Sequence, residues 1–169
     1  DEESDRITIP IRDDLGNLVG IKGRYFYRKI PEDIMKFLYL EKCARSQILY
    51  GLYKTTPYIK QRQRVFVTEA EKGVLQLWNA GHFEAVATGG KKISQSQIDK
   101  LTRLCVPIIF VFDKDVEKEE LDSIAARFID EVEIYAIIDE NNILSEKQSP
   151  TDDMSKFEKL LAENLYRLR

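Results

Sequence analysis

Histidine is almost missing from this chain: His82 is the only one in 169 residues. A Ser-His or Cys-His catalytic pair would have to be built on it, and its neighbours supply no nucleophile. It follows Gly81 at the end of an apolar helical pattern, a place that favours histidine on structural grounds. Cysteine is scarce as well. Cys43 and Cys105 stand far apart with no C-x-x-C spacing, which excludes a disulfide scaffold and gives no sign of a zinc site. Two buried thiols acting as small apolar groups are expected instead. No apolar run approaches the roughly 20 residues of a membrane span. The opening DEESDRITIP is acidic and has no apolar signal region, so a cytoplasmic protein with no membrane partner is expected. Internal repeats and low-complexity tracts are lacking.

With 43% hydrophobic and 33% charged residues, the composition is that of a globular protein. The net charge of -3 hides an asymmetry. Residues 1–64 hold 13 Lys+Arg against 9 Asp+Glu, whereas residues 65–169 hold 13 against 20. Between Gly20 and Arg64, 11 basic residues face only Glu32, Asp33 and Glu41. Tyr25, Phe26, Tyr27, Phe37, Tyr39, Tyr50, Tyr53 and Tyr58 are interleaved with them. Basic side chains neutralise phosphates and aromatic faces stack on unpaired bases, so the mixture suits single-stranded nucleic acid. A solvated basic face over an aromatic core explains the same composition equally well.

Local patterns divide the chain in the same place. RITIPIR, the turn residues Asp13 to Asn17, and LVGIKGRYF read as a hairpin, with Pro10 marking an edge strand. SQILYGLY, Ser46 to Tyr53, reads as a short helix closed off by Thr55, Thr56 and Pro57. From Arg64 onward, short apolar runs alternate with helical stretches, the signature of a parallel α/β sheet. Strands are expected at Val65–Val67, Ala85–Ala87, Ile108–Phe112 and Val132–Ile138. Helices are expected from Glu71 to Asn79, from Gln95 to Leu104 with Ser94 as cap, and from Glu117 to Phe128. After a polar loop, a last helix from Asp153 carries Phe157, Leu160, Leu161, Asn164, Leu165 and Leu168 on one stripe, as packing for its own domain.

In an open parallel sheet the ligand site lies beyond the carboxyl ends of the strands. Glu69 follows the first strand, Asp113 closes the third, and Asp115 stands two residues on. Carboxylates gathered there repel one another unless a cation joins them, and all-oxygen ligands with open positions suit Mg²⁺ or Mn²⁺. Such a centre supports in-line displacement at phosphorus. Gly89-Gly90 after the second strand lets backbone approach a phosphate, with Lys91 and Lys92 beside a helix start. Solvated acids at loop ends and a plain glycine turn are the structural alternatives to these readings.

The runs VTEAEKGVLQLWNAGHFEAVATGG and PIIFVFDKD resemble the Toprim domain shared by primases and topoisomerases, with Glu69 as its glutamate and Asp113-Lys114-Asp115 as its D-x-D. RITIPIRDDLGNLVGIKGR and SQILYGLY are similar to stretches of the polymerase core of bacterial replicative primases. The resemblance implies a Toprim-like parallel four-stranded sheet flanked by helices, preceded by a small basic α+β subdomain. Residues 1–61 would form that subdomain, 62–140 the Toprim domain and 141–169 a C-terminal loop and helix. It implies metal-dependent nucleotide addition, with Glu69, Asp113 and Asp115 catalytic and metal-binding, and Asp152 the remaining carboxylate of a late acidic element that appears here as Ser149-Pro150-Thr151-Asp152. Lys22, Arg24, Lys36 and Arg45 fall in the basic segment that guides template and nucleotide, joined by Lys91 and Lys92. The partners implied are single-stranded DNA, nucleoside triphosphates and a replicative helicase reached through regions outside the chain. Departures stand beside the matches. A second acidic position four after the glutamate is Gly73, the usual glycine after the glutamate is Ala70, and Glu71 or Asp139 would have to compensate for the lost acid. The zinc-binding and helicase-binding domains of the family have no counterpart in these residues, so an excised fragment or a reduced relative is expected.

Three other functions fit parts of this pattern. IIFVFDKDV also matches an aspartate-nucleophile phosphatase, but only 54 residues follow Asp115, too few for the rest of that machinery. A non-catalytic nucleic-acid-binding Toprim module is favoured by Gly73 and Ser149. A Toprim nuclease would use the same metal chemistry with water as nucleophile.

Overall fold

The computed structural model describes residues 5–146 and 148–169; Asp1 to Ser4 of the acidic opening, and Lys147, lie outside them. The chain starts with a three-stranded antiparallel sheet in the order β1 (Arg6–Arg12), β2 (Leu18–Tyr25), β3 (Phe37–Glu41). The hairpin between β1 and β2 is built by its turn residues. Asp13 accepts hydrogen bonds from the backbone N–H of Leu15 and Asn17 at 3.0 and 2.9 Å, and Gly16 takes φ +87°, a conformation glycine adopts without strain. Pro10 lies on edge strand β1, opposite Ile21. β3 was not expected from the sequence. All of its residues except Glu41 are half-buried, so it lacks the alternation that marks a strand.

SQILYGLY is not a helix. Arg45–Gln47 forms one 3-10 turn, and Tyr50 exchanges backbone hydrogen bonds with Ala87 at 2.8 and 3.2 Å. The helix begins after Gly51, whose φ is +86°, and runs through the residues expected to stop it, as α1 (Leu52–Arg62) with Pro57 inside. Proline usually ends a helix because it lacks an N–H. Here the buried stripe Leu52, Thr55, Ile59 continues across it, and Thr56 caps the Leu52 carbonyl at 2.8 Å. Burial of that stripe outweighs one lost hydrogen bond.

The larger sheet has the order β5-β4-β6-β7-β8. Its strands are β4 (Val65–Thr68), β5 (Ala85–Ala87), β6 (Ile108–Val111), β7 (Ile134–Ile137) and β8 (Leu165–Arg167). The first four are parallel, as the alternating pattern predicts. Helices α2 (Glu71–Asn79), α3 (Gln95–Thr102), α4 (Lys118–Ala125) and α5 (Met154–Glu163) cover the two faces. Val65, Val67, Ile108, Phe110 and Ile134 pack with α1, α3 and α4. Phe66, Ile109, Val111 and Ile137 pack with α2 and α5 on the other side. Successive side chains therefore enter different cores, which explains why the strands read as continuous apolar runs. Ser94 caps α3 in a reciprocal box with Gln97, as expected.

The C-terminal stripe is two elements rather than one helix. α5 ends at Glu163, the carbonyl of buried Asn164 accepts the Ile138 N–H at 3.1 Å, and β8 pairs antiparallel with β7. An unpaired edge on β7 would leave its backbone donors and acceptors without partners, and β8 satisfies them. Among the described residues no helix is long and apolar enough to cross a membrane.

Among the described residues two ion pairs tie the small sheet to the large unit, Lys100 with Asp14 at 2.6 Å and the more deeply buried Lys22 with Glu71. Lys22 Nζ on β2 lies 2.6 Å from Glu71 Oε2 at the start of α2, with side-chain exposures of 13% and 3%. The ammonium also sits over the rings of Phe37 and Tyr39. Removing one partner strands the other charge away from water. Lys22→Met should therefore destabilise the fold by about 3–5 kcal/mol in denaturant melts, and Lys22→Met with Glu71→Leu should recover most of that loss.

Candidate metal centre

β4 and β6 are adjacent and parallel, with Thr68 opposite Val111 in the register. Both strands therefore deliver their next residues at the same edge. Glu69 leaves β4 there, and Asp113 and Asp115 follow β6. Glu69 Oε1 accepts the backbone N–H of Asp113 at 3.1 Å. One carboxylate oxygen from each of the three acids lies within 4.8 Å of the other two. An octahedral Mg²⁺ bound at about 2.1 Å spaces its ligand oxygens by roughly 3–4 Å, so small side-chain rotations bring the set onto one ion. The donors are all oxygen and are exposed on one side, leaving positions for water or substrate phosphate. The residues fit the metal the sequence implies.

Electrostatics distinguishes the three acids. Burial pushes the half-buried Glu69 carboxyl above its ordinary value, and the charges of Asp113 and Asp115 push the same way against the Asp113 N–H and Lys91. Asp115 is exposed and moves down instead, because it accepts a hydrogen bond from Lys91 Nζ at 2.6 Å. Lys91 rises in return.

Asp152 is not part of this trio. It stands on the 3-10 turn Pro150–Asp152 and lines a pocket of about 220 Å³ together with Lys36, Glu69, Lys72, Gly73, Asp113 and Ser149. There it pairs with Lys72 and accepts from Gln76 Nε2 at 3.0 Å. Burial raises its carboxyl, but the hydrogen bonds from Lys72, Gln76 and the Ser149 N–H outweigh burial and leave it lowered. Neither candidate compensator reaches the centre. Glu71 is held by Lys22. Asp139 accepts the N–H groups of Ile143 and Leu144, both at 2.8 Å, and faces Lys114. At Gly73 a Cβ would stand 2.9 Å from Thr68 Cβ, so an acid there would require Thr68 or the helix to shift.

The basic residues separate into three groups. Arg45, Lys91 and Lys92 line a second pocket of about 450 Å³ with Gly89, Gly90 and Ser94. Gly89 has φ +79°, and nothing lies within 4 Å of where its Cβ would be. Lys36 belongs to the pocket of the acids. Lys22 and Arg24 line neither pocket, and Arg24 donates to the Tyr25 carbonyl at 2.8 Å. Sequence reasoning missed two residues. Lys72 neutralises Asp152, and its only sequence signal is its place three residues after Glu69. Gln97, 1% exposed, donates to the carbonyls of Ile48 and Thr88 at 2.8 and 2.7 Å and so pins the loop of the larger pocket; a capping glutamine gives no hint of that.

The raised Glu69 carboxyl has a direct effect on stability. Well below pH 4.5, its ordinary value, folded and unfolded chains both hold the proton and the burial of Glu69 costs nothing. As pH rises, the unfolded chain ionises first, so stability falls until the folded carboxyl ionises too. Glu69→Gln should therefore melt higher than the parent at pH 7, by less than about 1 kcal/mol because the carboxyl is partly screened by solvent. The two should converge near pH 3, and excess Mg²⁺ should close the gap at pH 7 by binding only the parent well.

No protein-family model matches the chain. It is similar to the DNA primase of Rickettsia prowazekii, with 34% identity over 112 residues that take in 66% of this chain and 19% of the relative. The crystal structure of a DNA primase domain from Pseudomonas aeruginosa matches with a TM-score of 0.76 and 27% identity over 97% of this chain and 52% of that one. A DnaG primase catalytic domain solved bound to ssDNA shares the fold, with a TM-score of 0.74 and 22% identity over 97% of this chain and 53% of that one. The chain thus spans about a fifth of the length of the curated relative and about half of the two solved chains. By sequence and fold together, the chain matches a part of the catalytic core of bacterial DNA primases.

Proposed function

We propose that this chain carries the nucleotide-adding centre of a primase, a metal-dependent nucleotidyltransferase that builds RNA primers on single-stranded DNA from nucleoside triphosphates in the cytoplasm. The observation that carries the reading is the convergence of Glu69, Asp113 and Asp115 at one sheet edge, with Lys36 and Lys72 in the pocket that Glu69 and Asp113 line and Arg45, Lys91 and Lys92 in a second, basic pocket. The relatives named DNA primase, and the one solved with ssDNA, support it. In this reading the segment before β4 guides the template, although its helix α1 packs on the large sheet; residues 62–140 are the Toprim unit, and residues 141–169 a loop, the helix α5 and the strand β8 that close it. A replicative helicase is the further partner that kinship implies.

In the reaction a primer 3′-hydroxyl attacks the α-phosphorus of the incoming nucleotide. A P–O bond forms and the bond to pyrophosphate breaks. Mg²⁺ or Mn²⁺ supplies charge stabilisation at the attacking and leaving oxygens. Asp113 and Asp115 would be the residues that hold it. Glu69 adds a further ligand or accepts the proton of the attacking hydroxyl, and a carboxyl raised by burial suits that second role. Lys36 and Lys72 face the acids across the smaller pocket and offset phosphate charge there. Arg45, Lys91 and Lys92 do so in the larger one.

Incorporation of labelled nucleotide on a single-stranded template, with and without Mg²⁺ or Mn²⁺, is the deciding assay. Asp113→Asn or Asp115→Asn should lower metal-dependent incorporation by about a hundredfold or more while circular dichroism stays unchanged. Incorporation that survives both substitutions would overturn the assignment. Binding of a single-stranded oligonucleotide tests the basic pockets separately. Lys36→Ala with Arg45→Ala should weaken it and make its salt dependence shallower, by about one unit of slope for each phosphate that is no longer neutralised.

A further inference from the structure

Lys91 belongs to two places at once. Its backbone lies in the loop after β5, yet its ammonium reaches Asp115 in the loop after β6, 2.6 Å away. The strand order is β5-β4-β6, so the side chain crosses the end of β4, where Glu69 stands. It also forms part of the wall of the 450 Å³ basic pocket, beside Arg45, Lys92 and the open Gly89-Gly90 backbone. Lys91 therefore serves the outermost acid of the candidate metal centre with its ammonium, and is itself a wall residue of a pocket rich in basic side chains. It cannot satisfy both.

We propose that Lys91 is an exchangeable internal cation: it occupies Asp115 when no metal is bound, and transfers to phosphate in the basic pocket when a divalent cation takes Asp115. This rests on the metal-centre reading above and adds a coupling between the two pockets. A metal ion that claims Asp115 releases the ammonium beside the phosphate site. Polyphosphate that draws the ammonium away exposes Asp115 to metal. The linkage is reciprocal by thermodynamic necessity, so each ligand strengthens the other by the same factor. The ion pair is exposed, 44% at Lys91 and 64% at Asp115, which limits that factor to about fivefold. Lys92 lines the same pocket with the same charge, and no ion pair to an acid of the centre is seen for it among the described residues. It is therefore the control for a simple loss of positive charge.

Two titrations test the exchange, each with folding checked by circular dichroism. In the first, free Mn²⁺ is followed by electron paramagnetic resonance for the parent, Lys91→Ala and Lys92→Ala. Lys91→Ala should bind Mn²⁺ about two- to fivefold more tightly than the parent, and clearly more tightly than Lys92→Ala. In the second, inorganic tripolyphosphate is titrated calorimetrically without metal. Asp115→Asn should tighten its binding by freeing Lys91, and the gain should vanish when Lys91→Ala is added, as a double-mutant cycle reads it. Equal Mn²⁺ affinities in the two lysine variants, or a tripolyphosphate gain in Asp115→Asn that survives the loss of Lys91, would overturn the exchange while leaving the metal centre standing. Absence of Mn²⁺ binding in every form would remove the metal centre, and the exchange with it.

Discussion

The parallel ladder between β4 and β6 is the contact on which the rest of the structure depends. It runs from Val65 opposite Ile108 to Thr68 opposite Val111, and all eight of its residues are buried. The two strands have side chains in different cores on alternating positions. A slip of one residue would exchange those cores, so the register is strongly held. Once it is held, the positions of Glu69 and Asp113 follow, because parallel neighbours end at the same edge. The 3.1 Å hydrogen bond from the Asp113 N–H to Glu69 is the first of the interactions that make this crowding of acids tolerable.

That part of the fold is legible in the sequence because it is local and repetitive. Short apolar runs, each followed by an amphipathic helix, specify parallel strands, and an acid after each of two runs specifies a charged edge. What escaped is set by distant contacts. β3 has no alternation to read, since Phe37 to Leu40 are all half-buried on the edge of the small sheet. Pro57 carries a strong local stop signal that the burial of Ile59, fully enclosed, overrides. Leu165 and Leu168 continue a helical stripe on paper, yet the open edge of β7 draws the chain into β8 instead. The site divides in the same way. The trio was readable from strand ends, whereas the partners of Lys22, Lys72 and Lys91 are 49, 80 and 24 residues away.

Charge counting alone also overstates the nucleic-acid surface. The strongly basic stretch from Gly20 to Arg64 includes Lys22, which is spent on Glu71, and Arg64, whose guanidinium bonds Glu84 at 3.0 and 3.1 Å. Arg24 is turned to a backbone carbonyl. Lys36 and Arg45 remain as the members of the sequence-selected set that line a pocket from this segment. The aromatic residues divide similarly. Phe37 and Tyr39 sit under Lys22, while Phe26 and Tyr27 are exposed and available for stacking. The basic lining of the two pockets is thus narrower in charge than the segment is.

Around the candidate centre, most acids already have a cation or a donor of their own. Glu69 has a backbone N–H, Asp115 has Lys91, Asp152 has Lys72, and Glu71, at the start of α2, has Lys22. Like charges placed this close would otherwise raise one another's proton affinity and weaken the fold. With lysines supplying the compensation, these acids are tolerated in the fold without a divalent cation beside each of them. Gly73 fits the same scheme. An acid packed against Thr68 would require Thr68 or the helix to shift and would add a charge at the wall of the smaller pocket, where Lys72 already neutralises the nearest carboxylate. The positive charge at that wall is supplied by the side chain of Lys72, held on α2 one residue before Gly73.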